Sequence, residues 1–92
     1  MRCQVMRAAE RDIEDIISYT DENFGQRRTD EYLSGLYYSF ELLSDNPKMG
    51  RVFDAARRYY IYRSHYVFYR IDGELLKILR IRHTSLKLPK RR

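Results

Sequence analysis

Arg63, Arg70, Arg80, Arg82 and His83 stand along the last third of this 92-residue chain. They lie inside a run of alternating aromatic and basic residues from Arg57 to His83. Arginines gathered on one phosphate stabilise the charge that builds there in flight, and an imidazole can move a proton to or from an attacking hydroxyl, so these residues could support phosphodiester cleavage. Arginine interleaved with Tyr59, Tyr60, Tyr62, Tyr66, Phe68 and Tyr69 also suits stacking on bases. The plainer role of such rings is cross-strand pairing within a sheet. Of the six, Tyr60, Tyr62 and Tyr66 are expected to be exposed. His83 falls on one face with Leu79 and Ile81, which favours a core-edge histidine bonded to backbone, while His65 belongs to a hairpin corner. Two histidines and the single Cys3, with no ligand spacing among them, give no reason to expect a metal site, and no cofactor is implied.

Charge is unevenly spread. From Arg57 to Arg92 eleven Lys/Arg stand against Asp72 and Glu74, about +9, whereas Met1 to Asp54 sets seven against eleven acids, about −4. A field segregated in this way draws polyanions or acidic protein partners to one region. The tail from Thr84 to Arg92 extends the basic half through Lys87, Lys90, Arg91 and Arg92, and without any period it is expected to be mobile unless bound. Contact with nucleic acid and plain solvation remain equal readings of those last charges.

The elements that must position these groups follow from periodicity. Ninety-two residues suit one domain with a modest core, spanning 1–92. A short strand is expected within Arg2 to Arg7. Ile13, Ile16, Ile17, Thr20 and Phe24 recur at three-and-four spacing, an amphipathic helix from Ala9 to Phe24 that Gly25 can end. A second helix runs from about Arg27 to Ser44, with Tyr32, Leu33, Leu36, Tyr37, Phe40 and Leu43 as its stripe, and Asp45-Asn46-Pro47 stops it. So short a link at Gly25 requires an antiparallel helical hairpin. After a loop from Lys48 to about Ala56 the period becomes two, giving strands near Arg58 to Arg63, His65 to Ile71 and Leu75 to His83, the last pair joined at Asp72-Gly73. Strict alternation puts Leu75, Leu79 and Ile81 on one face of the final strand, with Arg80 and Arg82 opposite them. The expected fold is α+β: a short N-terminal strand, then a helical hairpin packed on a twisted antiparallel sheet, in the order β-α-α-β-β-β. The N-terminus has no apolar signal core and no stretch approaches the roughly 18 apolar residues of a membrane span. With one cysteine, the chain is expected to be cytoplasmic.

That order of elements, with Ala9-x-x-Asp12-Ile13-x-x-Ile16, Phe24-Gly25, Tyr32-x-x-x-Leu36-x-x-x-Phe40-x-x-Leu43, Asn46-Pro47-x-Met49-Gly50-Arg51, His65-Tyr66-Val67-Phe68-Tyr69-Arg70 and Ile78-Leu79-Arg80-Ile81-Arg82-His83, resembles the ParE branch of the RelE/ParE superfamily, toxins of bacterial type II toxin–antitoxin pairs. The resemblance spans Ala9 to His83. It departs from the pattern in the short stretch between Gly50 and His65 and in the basic tail.

The resemblance implies a cytosolic toxin, of the kind associated with plasmid stabilisation, neutralised by a ParD-like antitoxin and acting on DNA gyrase. In the RelE branch the same fold cuts mRNA on the ribosome. Against that second activity, Thr84 follows His83 where related nucleases carry a tyrosine, and Asp54 is the one candidate carboxylate base. A nuclease would use Arg63, Arg70, Arg80, Arg82 and His83. Target binding is assigned instead to Arg70, Arg80, Arg82, Lys87, Lys90, Arg91 and Arg92. The antitoxin is expected on Ile13, Ile17, Tyr32, Leu36, Tyr37, Tyr60, Tyr62 and Tyr66.

Overall fold

The computed structural model describes residues 1–86 and 88. The chain runs β1 (Arg2–Val5), α1 (Arg7–Phe24), α2 (Gln26–Asp45), β2 (Arg51–Val52), β3 (Arg58–Tyr62), β4 (His65–Asp72) and β5 (Leu75–His83). Among the described residues no helix is long and apolar enough to cross a membrane.

Gly25 alone separates the two helices, at φ 86°, a left-handed value that a side chain would oppose. Its N–H closes α1 on the Asp21 carbonyl. Thr29 then donates its hydroxyl to the Asp21 carboxylate, fastening the start of α2 to the end of α1. The hairpin lies on a five-stranded sheet ordered β1-β5-β4-β3-β2. Its inner face and the sheet enclose Ala9, Ile13, Leu36, Phe40, Leu43, Val67, Tyr69, Leu76, Ile78 and Ile81.

Three features depart from the reading of the sequence. Strand β1 joins β5 in parallel, whereas all the other pairings are antiparallel. The expected loop after α2 contains β2, whose two residues pair with Tyr59 and Arg58 and are too few to show a period. The third departure matters most for the site. Phe68 pairs with Arg80 but Tyr69 pairs with Ile78, so Leu79 is an extra residue, a β-bulge. Alternation restarts there. Leu76, Ile78 and Ile81 are buried under the hairpin, while Leu79 packs on the opposite face against Phe53, Tyr59 and Phe68. Leu79 and Ile81 therefore do not share a face.

The loop that leads into the sheet is held from within. The Tyr69 hydroxyl donates to the Pro47 carbonyl at 2.7 Å and accepts the Gly50 N–H at 2.9 Å. Arg58 donates to the Lys48 and Gly50 carbonyls. A Cβ at Gly50 would stand 2.5 Å from the Tyr69 oxygen and 2.8 Å from the Tyr59 carbonyl, which accounts for glycine in the Pro47 to Arg51 motif.

Candidate functional surface

The face of the sheet away from the hairpin carries the aromatic run. Phe53, Tyr59 and Phe68 are buried there, with Tyr66 and Leu79 packed beside them. Phe53 meets Phe68 edge-to-face with centroids 5.5 Å apart, and Tyr59 meets Tyr66 in the same way at 5.6 Å. Arg57 lies 4.8 Å over the Phe53 ring and is fixed by Asp54, which accepts its Nε and Nη2 at 2.9 and 2.7 Å. Rings locked edge-to-face in this way stabilise a sheet. They do not offer the open ring faces that base stacking needs. Of the rings expected to be exposed, Tyr60, Tyr62 and Tyr66 are all half-buried. Tyr60 and Tyr62 pack toward the hairpin core, and Tyr62 donates its hydroxyl to the Tyr32 carbonyl.

Basic side chains flank this aromatic centre. Pairing sets Arg70 opposite Lys77 at one end of the sheet and Tyr66 opposite Arg82 at the other. Four positions on β4 and five on β5, where the bulge adds one, separate these pairs, roughly 13 to 16 Å and so about 15 Å at about 3.3 Å per residue. Lys77 is engaged by Asp72 at 2.9 Å.

At the Arg82 end a groove of about 930 Å³ opens between the tip of the helical hairpin and the end of β5. Tyr19, Phe24, Arg28, Arg63 and Leu86 contribute to its walls. On one side His65 and His83 face each other across β4 and β5, their ring centroids 5.2 Å apart. The Tyr32 hydroxyl bonds His65 Nδ1. Burial, with His83 adding to it, lowers the His65 pKa from 6.5 to about 4, so the ring is neutral at pH 7. His83 itself is exposed and accepts the Ser85 N–H at Nδ1, 3.0 Å away. It is bonded to backbone as expected, but it stands outside the core. Burial also pushes the Tyr32 hydroxyl upward.

On the far side of the groove Arg80 is not free. Its Nε and Nη2 donate to Asp12 of α1 at 2.8 and 3.1 Å, and Asp12 also accepts the Ile81 N–H at 2.8 Å. Strand β1 has ended before this point, because its pairing with β5 stops at Ile78. Asp12 therefore occupies the edge of β5 that β1 leaves uncovered. Register sets Arg80 opposite Phe68, on the face away from the hairpin as expected, but the expectation that its charge projects away from the hairpin is corrected, since the Asp12 carboxylate of α1 draws the guanidinium back. Periodicity could place Asp12 on the polar side of α1 but could not show that side meeting β5.

The structure brings Arg63, Arg82, His65 and His83 to one end of the sheet, leaves Arg70 at the other, and ties Arg80 to a carboxylate. Asp54, the candidate base, is held by Arg57, which keeps its carboxyl below the usual range. Of the residues a nuclease would use, Arg63, Arg80, Arg82 and His83 line this one groove, and Arg70 lies outside it. Among the residues assigned to the antitoxin, Ile13 and Leu36 are buried in the core at 5% and 0% exposure, so no partner reaches them on the folded domain. Ile17 and Tyr32 are half-buried, and Tyr37 is exposed on α2. Lys87, Lys90, Arg91 and Arg92 lie outside the described residues. The reading of the sequence passed over Tyr19, which lies outside the apolar stripe of α1, and set Phe24 within that stripe, whereas both are exposed at the groove mouth.

Comparison with known proteins is consistent with the motifs. A family model described as "ParE toxin of type II toxin-antitoxin system, parDE" matches residues 4–87. A relative named Toxin ParE1 from Caulobacter vibrioides is 30% identical over 86 residues, covering 90% of this chain and 88% of the relative. Another Toxin ParE1, from Mycobacterium tuberculosis, is 30% identical over 83 residues, covering 86% and 85%. A solved chain titled "Chromosomal ParDE TA system from P. aeruginosa" superposes with a TM-score of 0.79 at 20% identity, covering 90% of this chain and 95% of that one, and so shares the fold.

Proposed function

The chain belongs to the ParE toxin family of type II toxin–antitoxin systems, and from that membership we propose that it is held inactive by a ParD-like antitoxin and, when free, inhibits DNA gyrase in the cytoplasm. The observation that carries this reading is the separation of the cations. Arg70 and Arg82 stand at opposite ends of a rigid aromatic sheet face, with buried rings between them. Basic positions about 15 Å apart along the backbone of one sheet face suit recognition of an extended charged surface on another protein. Cleavage would require them to converge on a single phosphate.

Purified protein should block supercoiling by gyrase in vitro, and the Arg70→Ala/Arg82→Ala variant should lose that block while keeping its fold. Codon-specific mRNA cutting on the ribosome, with supercoiling untouched, would replace this reading with the nuclease one.

A further inference from the structure

The groove between the tip of the helical hairpin and the end of β5 holds about 930 Å³, near the upper end of the roughly 300–1,000 Å³ common among small-molecule sites. Two of its rings differ from those locked into the sheet. Tyr19 is 63% exposed and Phe24 59%, and they meet edge-to-face with centroids 6.4 Å apart, so ring surface stays open toward the groove mouth.

The charges in this groove do not cancel. Asp12 is taken by Arg80, and Glu31 by Arg27 of its own helix at 3.4 Å. What remains is Arg28, Arg63 and Arg82 against Asp15, and among the described residues none of these three arginines is in an ion pair. The three cations come from α2, from the β3–β4 turn and from β5, and so converge from separate elements. Arg63 reaches the groove from a turn residue at φ 49°, and side chains kept in that region against their preference collect at ligand sites. His83 adds a donor, because its Nδ1 accepts the Ser85 N–H at 3.0 Å and the neutral ring then carries its proton on Nε2.

We infer that this groove binds a nucleotide, with its base on the exposed rings of Tyr19 and Phe24 and its phosphates on Arg28, Arg63 and Arg82. Open aromatic surface beside guanidinium groups matches a ligand that is flat at one end and multiply anionic at the other. Asp15 is left to accept a hydrogen bond from a sugar hydroxyl or a base amino group. No bond is made or broken in this step, and neither the antitoxin nor gyrase is needed for it. A free nucleoside phosphate and the end of a single strand present the same groups, and the experiment separates them.

The purified full chain is titrated with dATP, with inorganic triphosphate and with a short oligodeoxyadenylate, followed by calorimetry and by amide shifts. dATP should bind at a single site and shift the amides around Phe24 and His83, while triphosphate, which cannot stack, should bind about tenfold or more weakly. Tyr19→Ala and Phe24→Ala remove exposed rings, so both chains should melt like the wild type yet bind dATP about tenfold more weakly, with triphosphate unaffected. Arg63→Gly should weaken both ligands. An oligodeoxyadenylate that binds more tightly than dATP identifies a strand end as the ligand, and equal or weaker binding identifies the free nucleotide. If dATP and triphosphate bind alike, and the two alanine variants match the wild type, the groove is an anion site and the nucleotide assignment falls. It falls equally if millimolar dATP leaves the wild-type amides unshifted, whatever the supercoiling and antitoxin-binding assays return.

Discussion

Asp12 and Arg80, 68 positions apart in sequence, form a two-bond ion pair that fastens α1 to the edge of β5. Asp12 is only 12% exposed in its side chain and Arg80 44%, so removing either partner has unequal consequences. Arg80→Ala leaves the carboxylate bonded to the Ile81 N–H and should cost about 1 kcal/mol. Asp12→Ala also strips the Ile81 N–H of its acceptor and should cost about 2–3 kcal/mol. A double-mutant cycle read by urea unfolding should return a coupling of about 1 kcal/mol. Loss of toxicity in Arg80→Ala would then reflect the seating of α1 as much as a missing target contact. Additive single mutants would show the pair to be idle.

The Tyr69 hydroxyl is the centre of the Pro47 to Gly50 loop. Tyr69→Phe leaves the Gly50 N–H without its acceptor and should lower stability by about 1–3 kcal/mol. Gly50→Ala should cost more, since its Cβ meets both the Tyr69 ring and backbone. Thermal melts would rank the two. A Gly50→Ala protein as stable as wild type would contradict the close approach.

His65 sets the acid limb of stability. Its pKa is about 4 in the folded chain against 6.5 when unfolded, so the unfolded state takes up a proton first as pH falls. The contribution is whole above pH 6.5 and drains away between pH 6.5 and 4, on the order of 1–2 kcal/mol after discounting for half burial. Asp54 and Asp72, kept low by Arg57 and Lys77, act only at still lower pH. His65→Gln should flatten the stability profile between pH 6.5 and 4.5. An equal slope in both proteins would assign the effect elsewhere.

Arg63 adopts φ 49° in the turn between β3 and β4, a conformation that a side chain disfavours. Arg63→Gly should therefore stabilise the fold by about 0.5–1 kcal/mol. If the guanidinium at the mouth of the groove contributes to toxicity, the same variant will be more stable and less toxic, a combination that growth assays and melts detect together. A destabilised variant would mean that the contact of Arg63 with the Tyr62 ring outweighs the strain.

Core substitutions should divide along the bulge. Leu76→Ala and Ile78→Ala remove side chains at 0% exposure beneath the hairpin and should cost about 2–5 kcal/mol each. Leu79→Ala touches only the smaller aromatic cluster on the other face and should cost less, about 1–2 kcal/mol. Chemical denaturation checks the order, and a Leu79→Ala loss equal to that of Ile78→Ala would place Leu79 in the main core.

Local pattern alone determined much of this protein. The spacing of Ile13, Ile16 and Ile17 and of Leu36, Phe40 and Leu43 made two helices, Gly25 joined them, and alternation from Val67 to Ile71 faced β4 correctly. These features depend on neighbours three or four positions away, or two in a strand, so the sequence displays them directly. Tertiary structure decided the rest. Which edge β1 would join, the extra residue at Leu79, Asp12 as the partner of Arg80, and Tyr69 beneath Gly50 all depend on groups 9 to 73 positions apart. Packing selects such pairs from many that local preference allows equally. The bulge shows the consequence most clearly, since one added residue reverses the face of all that follows it, and with it the surface to which each arginine belongs.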